Sequence, residues 1–255
     1  MLGLLAQRSQ QALVPDARAV LAVERAGSGY VVRDGGDVLT TVESPRAVLD
    51  AVFARVHRRA FELAARKGWV RVHGTVVRLA GARLAVVGPA GAGKTTLALG
   101  VLATGGVAEG DESFLVRDGE VVAVPRRFHV KPGSEQVVPE AASWLAAAPV
   151  LDGEPPLRLL DPTEVGRPWD LPVGPIDHLV LVARGEATSA CTPASAAAAA
   201  PEVLAQAFPT VEDRGTIVRA VSSLLRGAGV HRLVTGSDGR AVALLEDVAR
   251  APRDR

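Results

Sequence analysis

The sequence predicts an α/β protein in two parts: a small α/β lead-in over residues 1–68 and a phosphate-binding-loop domain over residues 69–255. Three observations carry that expectation. Apolar residues switch along the chain between alternation, the period of a strand, and spacings of three and four, the period of a helix. Residues 88–95 match G-x-x-x-x-G-K-[ST], with an apolar run before them and a helix-forming run after them. Composition does not shift sharply before residue 185, so most of the chain reads as one continuous domain.

In the lead-in, residues 19–23 and 29–32 read as short strands, with Asp34, Gly35, Gly36 and Asp37 as a turn. From Ser44 and Pro45 a helix is expected, because Val48, Val52, Val56, Ala60 and Ala64 recur at helical spacing behind a good N-terminal signal. Residues 69–77 and 83–87 read as strands about a turn at Gly81, and residues 95–103 as a helix stopped by Gly105 and Gly106. Residues 114–116 and 121–124 flank Arg117, Asp118, Gly119 and Glu120, where Asp-Gly suits a two-residue hairpin turn. Leu179, Val180, Leu181 and Val182 predict a buried strand. Residues 186–209, with Ala196–Ala200 between Pro193 and Pro201, read as a mobile or helical surface segment. A helix over 215–226 follows, then strands at 232–234 and 241–245 about Ser237, Asp238 and Gly239.

The chain of 255 residues carries 29 basic and 28 acidic side chains and a formal charge of +1. That balance disfavours broad electrostatic capture of nucleic acid or of a membrane surface. Its one cysteine, Cys191, cannot form an internal disulfide or a thiolate cluster, so the cytoplasm is the expected compartment. The apolar stretch at residues 1–6 lacks a cationic start, and no run approaches a membrane span.

Gly88, Pro89, Ala90, Gly91, Ala92, Gly93, Lys94 and Thr95, with Thr96 beside them, are the expected nucleotide-binding residues. Glycines let successive N–H groups turn inward onto a polyphosphate, and the following helix adds the positive end of its dipole. Lys94 would reach the β- and γ-phosphates, and the Thr95 hydroxyl would ligate Mg²⁺. Lys94 is one of three lysines in a chain otherwise rich in arginine, which suits a loop that needs a compact point charge. The chain has no asparagine and so no N-K-x-D segment for guanine, which leaves ATP as the expected nucleotide. It also lacks L-S-G-G-Q and an apolar run before Asp111, which leaves a kinase-like use of the loop.

Val72, His73 and Gly74, then the loop, then Gly110, Asp111 and Glu112, then residues 125–134 follow the order and spacing of HPr kinase-like proteins. The chain resembles that family over residues 69–135, about a quarter of its length. The resemblance implies a P-loop kinase core of the HPr kinase type, a mixed sheet with flanking helices, that uses ATP and Mg²⁺. It implies Asp111 as the base that takes the proton of an acceptor hydroxyl, and Glu112, where the family has a second Asp, near the metal with Thr95 and Asp111. It also implies His73 beside the reacting centre; a hydrogen-bonded structural histidine is the other reading. Arg126, Arg127 and Lys131, with His129, are candidate contacts to a substrate or phosphate, or else a solvated strand edge. Alternation would put Arg127, His129 and Lys131 on one face. Segments after the hairpin depart from the phosphorylase signature, of which Gly166, Arg167 and Pro168 are a fragment.

The function expected is therefore an ATP- and Mg²⁺-dependent kinase acting on a serine or other hydroxyl of a protein, peptide or small metabolite. Two others stay open: an ATP-binding regulatory or partner-docking protein, and a slow ATPase. Family resemblance also raises the expectation of a homo-oligomer. Trp144, Trp169 and Phe208 are candidates to line a pocket or to anchor the core.

Overall fold

The computed structural model describes residues 21–151, 154–167, 169, 171–208 and 214–251, in two compact units, residues 1–67 and 68–255. Part of the strand expected at 19–23, the apolar stretch at 1–6 and Pro168 lie outside the described residues.

In the first unit β1 (Leu21–Ala26), β2 (Gly29–Asp34) and β3 (Asp37–Val42) form an antiparallel sheet in chain order. Gly35 and Gly36, at φ 62° and 104°, make the tight turn between β2 and β3. The third strand is not among the sequence expectations: none of its six residues, DVLTTV, is buried, so it has no buried face to mark it. Helix α1 (Pro45–Arg66) begins as predicted, with the Ser44 hydroxyl accepting a hydrogen bond from Ala47 N at 3.2 Å. Asp34 takes guanidinium groups from Arg55 and Arg59 on α1, and the Arg55 hydrogen bond holds its carboxyl below the usual carboxylate range.

The second unit runs β4 (Val70–Leu79), β5 (Ala82–Val87), α2 (Lys94–Ala103), β6 (Val107–Gly110), β7 (Ser113–Arg117), β8 (Glu120–Ala123) and β9 (Phe128–Val130). Two short helices follow, α3 (Ser134–Val137) and α4 (Ala142–Ala147), then β10 (Val150–Leu151), β11 (Leu157–Leu160), β12 (His178–Arg184) and β13 (Ala190–Pro193). The chain ends with α5 (Ala196–Ala205), β14 (Ala207–Phe208), α6 (Arg214–Gly227), β15 (Gly229–Thr235) and α7 (Ala241–Arg250). The main sheet is mixed, in the order β13-β15-β12-β5-β4-β7-β8, with β6 and β14 also paired to β4. Strands β5, β12 and β15 are parallel; β4 and β13 run against them.

Both faces of this sheet are covered, which is why its central strands read as unbroken apolar runs. Ala85, Val87, Leu179 and Leu181 join one cluster with Ala199 and Val203 of α5 and Val221 and Leu224 of α6. The alternate residues Leu84, Val86, Val180 and Val182 are buried as well. Helix α2, apolar nearly all round, packs on β4 and on α7. At Gly100 a Cβ would lie 2.4 Å from Val242 Cγ2, so the two helices meet closely there.

One expectation is corrected. Residues 241–245 are the start of helix α7, not a strand. Both edges of β15 are already taken, by β13 and β12, and Leu245, Val248 and Ala249 are buried at helical spacing. Over residues 186–208 the chain forms edge strand β13, helix α5 and β14, and residue 209 lies outside the described residues. The helical alternative holds there, with Ser195 capping α5 and with Ala199 and Val203 buried. The hairpin is as expected, since Asp118 and Gly119 have φ 53° and 83°, the left-handed pair that such a turn requires.

Candidate active site

Residues 88–95 connect the end of β5 to the start of α2. A Cβ on Gly88 would lie 2.3 Å from the carbonyl oxygen of Val182 in β12, so the neighbouring strand excludes any side chain there. Gly93, at φ 95°, precedes α2 and offers no side-chain cap, which leaves amides of the first turn without a side-chain partner. Lys94 is buried and folds back over the loop: its Nζ donates to the carbonyls of Gly88 at 2.7 Å and Pro89 at 2.9 Å. Burial lowers its pKa, against the opposing charge of Asp111. Thr95 Oγ1 donates to Asp111 Oδ2 at 2.9 Å, and Thr96 Oγ1 lies 3.2 Å from Ser134 Oγ.

The way Asp111 reaches Thr95 follows from the strand pairing. Strands β6 and β7 lie end to end along β4, and the register is the same on both sides of the gap, with Val76 opposite Gly110 and His73 opposite Ser113. At Asp111 and Glu112 the ladder opens. Glu112 takes φ 76°, which a side chain other than glycine adopts at a cost. Three groups of β4 hold this bend. Gly74 N donates to Glu112 O at 3.2 Å, His73 Nδ1 lies 2.8 Å from the same oxygen, and the Thr75 hydroxyl donates to Gly110 O.

Asp111 is 6% exposed, and burial raises its pKa; the Thr95 hydrogen bond and the charges of Arg126 and Lys94 pull the other way. His73 is pushed down to about 4 by burial, then by Lys94 and Arg71, so its ring is neutral near pH 7. With the ring neutral, the proton on Nδ1 is the one that can reach the Glu112 carbonyl.

The basic residues divide. Arg126 forms an ion pair with Glu112, and its Nη2 lies 2.8 and 3.1 Å from the ring nitrogens of His129. Arg127 is held elsewhere, by Glu164 at 2.9 Å and Asp161 at 3.6 Å. Lys131 is exposed. Along β9, Phe128 and Val130 are buried, while His129 and the flanking Arg127 and Lys131 are not.

His73, Lys94, Thr95, Asp111, Glu112 and Arg126 line one cleft of about 690 Å³. Arg127, His129 and Lys131 also border it, as do Ala90, Gly91, Ala92, Gly93 and Thr96. Gly88 and Pro89 are not in its lining; their carbonyls accept from Lys94. The far wall gives no local signal in the sequence: Arg184 ends β12 and Glu186 follows it, and Thr235 ends β15 and Ser237 follows it. The signal that could have found them is positional, since ligands in such sheets sit outside the carboxyl ends of parallel strands. Trp144, Trp169 and Phe208 are not in the lining. Trp169 is buried edge-on to Phe128, with ring centroids 6.1 Å apart, and Phe208 lies under the Arg71 guanidinium at 4.2 Å.

Among the described residues, no group of three or more His, Cys, Asp and Glu side chains is placed to hold a metal ion, and no helix is long and apolar enough to cross a membrane. No family model and no curated protein matches the chain. Among solved structures it is similar to the HPr(Ser) kinase/phosphatase from Coxiella burnetii, at 10% sequence identity and a TM-score of 0.36, over 71% of this chain and 93% of that one.

Proposed function

We propose that the protein is an ATP- and Mg²⁺-dependent phosphotransferase whose acceptor is a hydroxyl of a protein, peptide or small metabolite, with residues 69–255 carrying the reaction. The observation that supports this best is the convergence of Lys94, Thr95 and Asp111 in one cleft, with the Thr95 hydroxyl 2.9 Å from the Asp111 carboxylate. Two separate stretches of sequence, a glycine-rich loop and an interrupted ladder, are brought together there.

The residues suit the ligands. Amides of the first turn of α2 and the Lys94 ammonium suit a polyphosphate. A phosphate-bound Mg²⁺ takes one or two protein oxygens, and Thr95 and Asp111 offer a hydroxyl and a carboxylate side by side, with Glu112 the next acid in the chain. When bound, the metal spreads the charge that builds on the transferred group.

Asp111 accepts the proton of the acceptor hydroxyl as its oxygen bonds to the γ-phosphorus and the bond from that phosphorus to the β,γ-bridging oxygen breaks, releasing ADP. Lys94 exchanges the Gly88 and Pro89 carbonyls for phosphate oxygens. His73 positions the base by holding the Glu112 carbonyl, and Arg126 fixes the Glu112 side chain.

Following the γ-phosphate of labelled ATP with Mg²⁺ in an extract of the source organism tests this reading. Label on a protein, peptide or metabolite with the unaltered protein, and none with Asp111→Asn, supports a phosphotransferase. Label that stays on ATP, or appears as inorganic phosphate alone, favours a nucleotide-binding regulator or a slow ATPase.

A further inference from the structure

The cleft extends well beyond what the loop and Asp111 need, and its second wall bears on which part of a nucleotide is read there. We infer that this wall, the exits of β12 and β15, is a nucleoside subsite in which the Glu186 carboxylate accepts hydrogen bonds from the ribose hydroxyls and the Arg184 guanidinium bounds the base. The inference rests on the nucleotide-binding reading above.

The direction in which a nucleoside lies is set by what surrounds β5. On one side β4 carries β6 and β7, and with them Asp111, where the acceptor hydroxyl must arrive. The nucleoside is therefore left the other side, over β12 and β15. The end of β15 abuts the loop: a Cβ on Gly93 would lie 3.8 Å from the Thr235 hydroxyl. A chain of cleft residues thus runs from the loop through Thr235, Gly236 and Ser237 to Arg184 and Glu186.

That wall is held in shape by contacts that leave its charged groups free. Gly185 N donates to Thr235 O at 2.9 Å, and Gly236 N to Ser189 Oγ at 2.9 Å. The Asp238 carboxylate accepts from Ser189 N at 2.8 Å, from the Ser189 hydroxyl and from Arg240 N at 3.2 Å, so it ties the loop after β15 to the loop before β13. At Gly236 a Cβ would lie 2.5 Å from the Ala187 carbonyl oxygen, so the two loops close on each other there. By contrast, the exposed side chains of Arg184 and Glu186 have no hydrogen-bond or ion-pair partner among the described residues. An unengaged carboxylate on a hydrogen-bonded rim can accept both hydroxyls of a ribose, and a planar guanidinium beside it offers a face for a base.

Inorganic tripolyphosphate, which fits the loop but has no nucleoside, separates the two readings. Calorimetric titration with Mg²⁺ compares ATP, 2′-deoxyATP and tripolyphosphate on the full chain, its Glu186→Gln and Arg184→Ala variants, and Lys94→Ala. Glu186→Gln is expected to weaken ATP about tenfold, the size of one charge-assisted hydrogen bond, to leave tripolyphosphate unchanged, and to remove the penalty for 2′-deoxyATP. Arg184→Ala weakens ATP and spares tripolyphosphate. Unchanged ATP affinity in both variants, or an equal loss for tripolyphosphate, overturns the subsite while leaving the loop's role standing. If the unaltered chain binds neither ligand and Lys94→Ala behaves identically, the nucleotide-binding reading fails and the subsite goes with it.

Discussion

The two flanks of β5 bring side chains to the cleft in opposite ways. On the β4 flank the strands are antiparallel, and the functional groups come from an opening in a ladder: the register is the same on either side of Asp111 and Glu112, and His73, Gly74 and Thr75 hold the gap. On the β12 flank the strands are parallel, and the groups come from strand ends far apart in sequence, tied to one another by Ser189 and Asp238. An antiparallel ladder can present a carboxylate to a cleft within a short motif. Parallel strands can do so only through their loops, because each strand returns by a long crossover.

Substitutions on the two flanks should therefore differ in kind. The largest loss is expected from Glu109→Ala on the β4 flank. Glu109 is fully buried, with Arg83 at 2.8 Å and Arg78 at 3.3 Å, and its removal leaves charge stranded in the core. Urea unfolding should show a loss of about 3–5 kcal/mol, moderated by the carbonyls of Gly174, Val121 and Pro172 that Arg83 also holds. Gly88→Ala, where the two flanks meet, forces a methyl group against the Val182 carbonyl and should cost roughly 1–3 kcal/mol. Ser189→Ala on the β12 flank removes a hydroxyl that joins Gly236 to Asp238, for about 1–2 kcal/mol by the same measurement. It should loosen the far wall without disturbing Asp111; a matching loss of stability from Thr75→Val, whose hydroxyl holds the Gly110 carbonyl, would show both flanks to be braced alike.

The smallest effect is a pH dependence. His73 has a folded pKa of about 4 against 6.5 in an unfolded chain, so the unfolded state takes up the proton first. Its contribution to stability is present above about pH 6.5 and is lost as pH falls toward 4. His73 is only half-buried, so solvent screening keeps the effect small. Thermal midpoints measured from pH 7 to pH 5 should fall less steeply in His73→Gln than in the unaltered chain.

How much of this was legible in the sequence follows the same division. The loop, its flanking strand and helix, and the Asp118-Gly119 hairpin were readable because each is contiguous and its residues answer a local requirement, such as the left-handed turn pair. Asp111 and His73 could be named, yet the sequence could not show that His73 serves the Glu112 carbonyl, since that depends on register along β4. Nor could it separate Arg126, which holds Glu112, from Arg127, which is committed to Asp161 and Glu164 well downstream. The wall at Arg184, Glu186 and Thr235 gave no local signal, because those residues meet only once β12 and β15 are parallel neighbours. Residues 241–245 were misread for a related reason: five apolar residues have no decisive period, and sheet topology decided that both edges of β15 were filled.

The central claim is that Asp111 acts on the acceptor while the loop holds the nucleotide, and one paired measurement tests it: phosphoryl transfer and ATP affinity, both determined for Asp111→Asn and for Lys94→Ala. Asp111→Asn is predicted to lower transfer by about 10²–10⁴-fold with ATP affinity changed no more than a few-fold, and Lys94→Ala to lower both. Equal loss of ATP affinity in the two variants, or transfer that survives Asp111→Asn, would contradict the role given to Asp111.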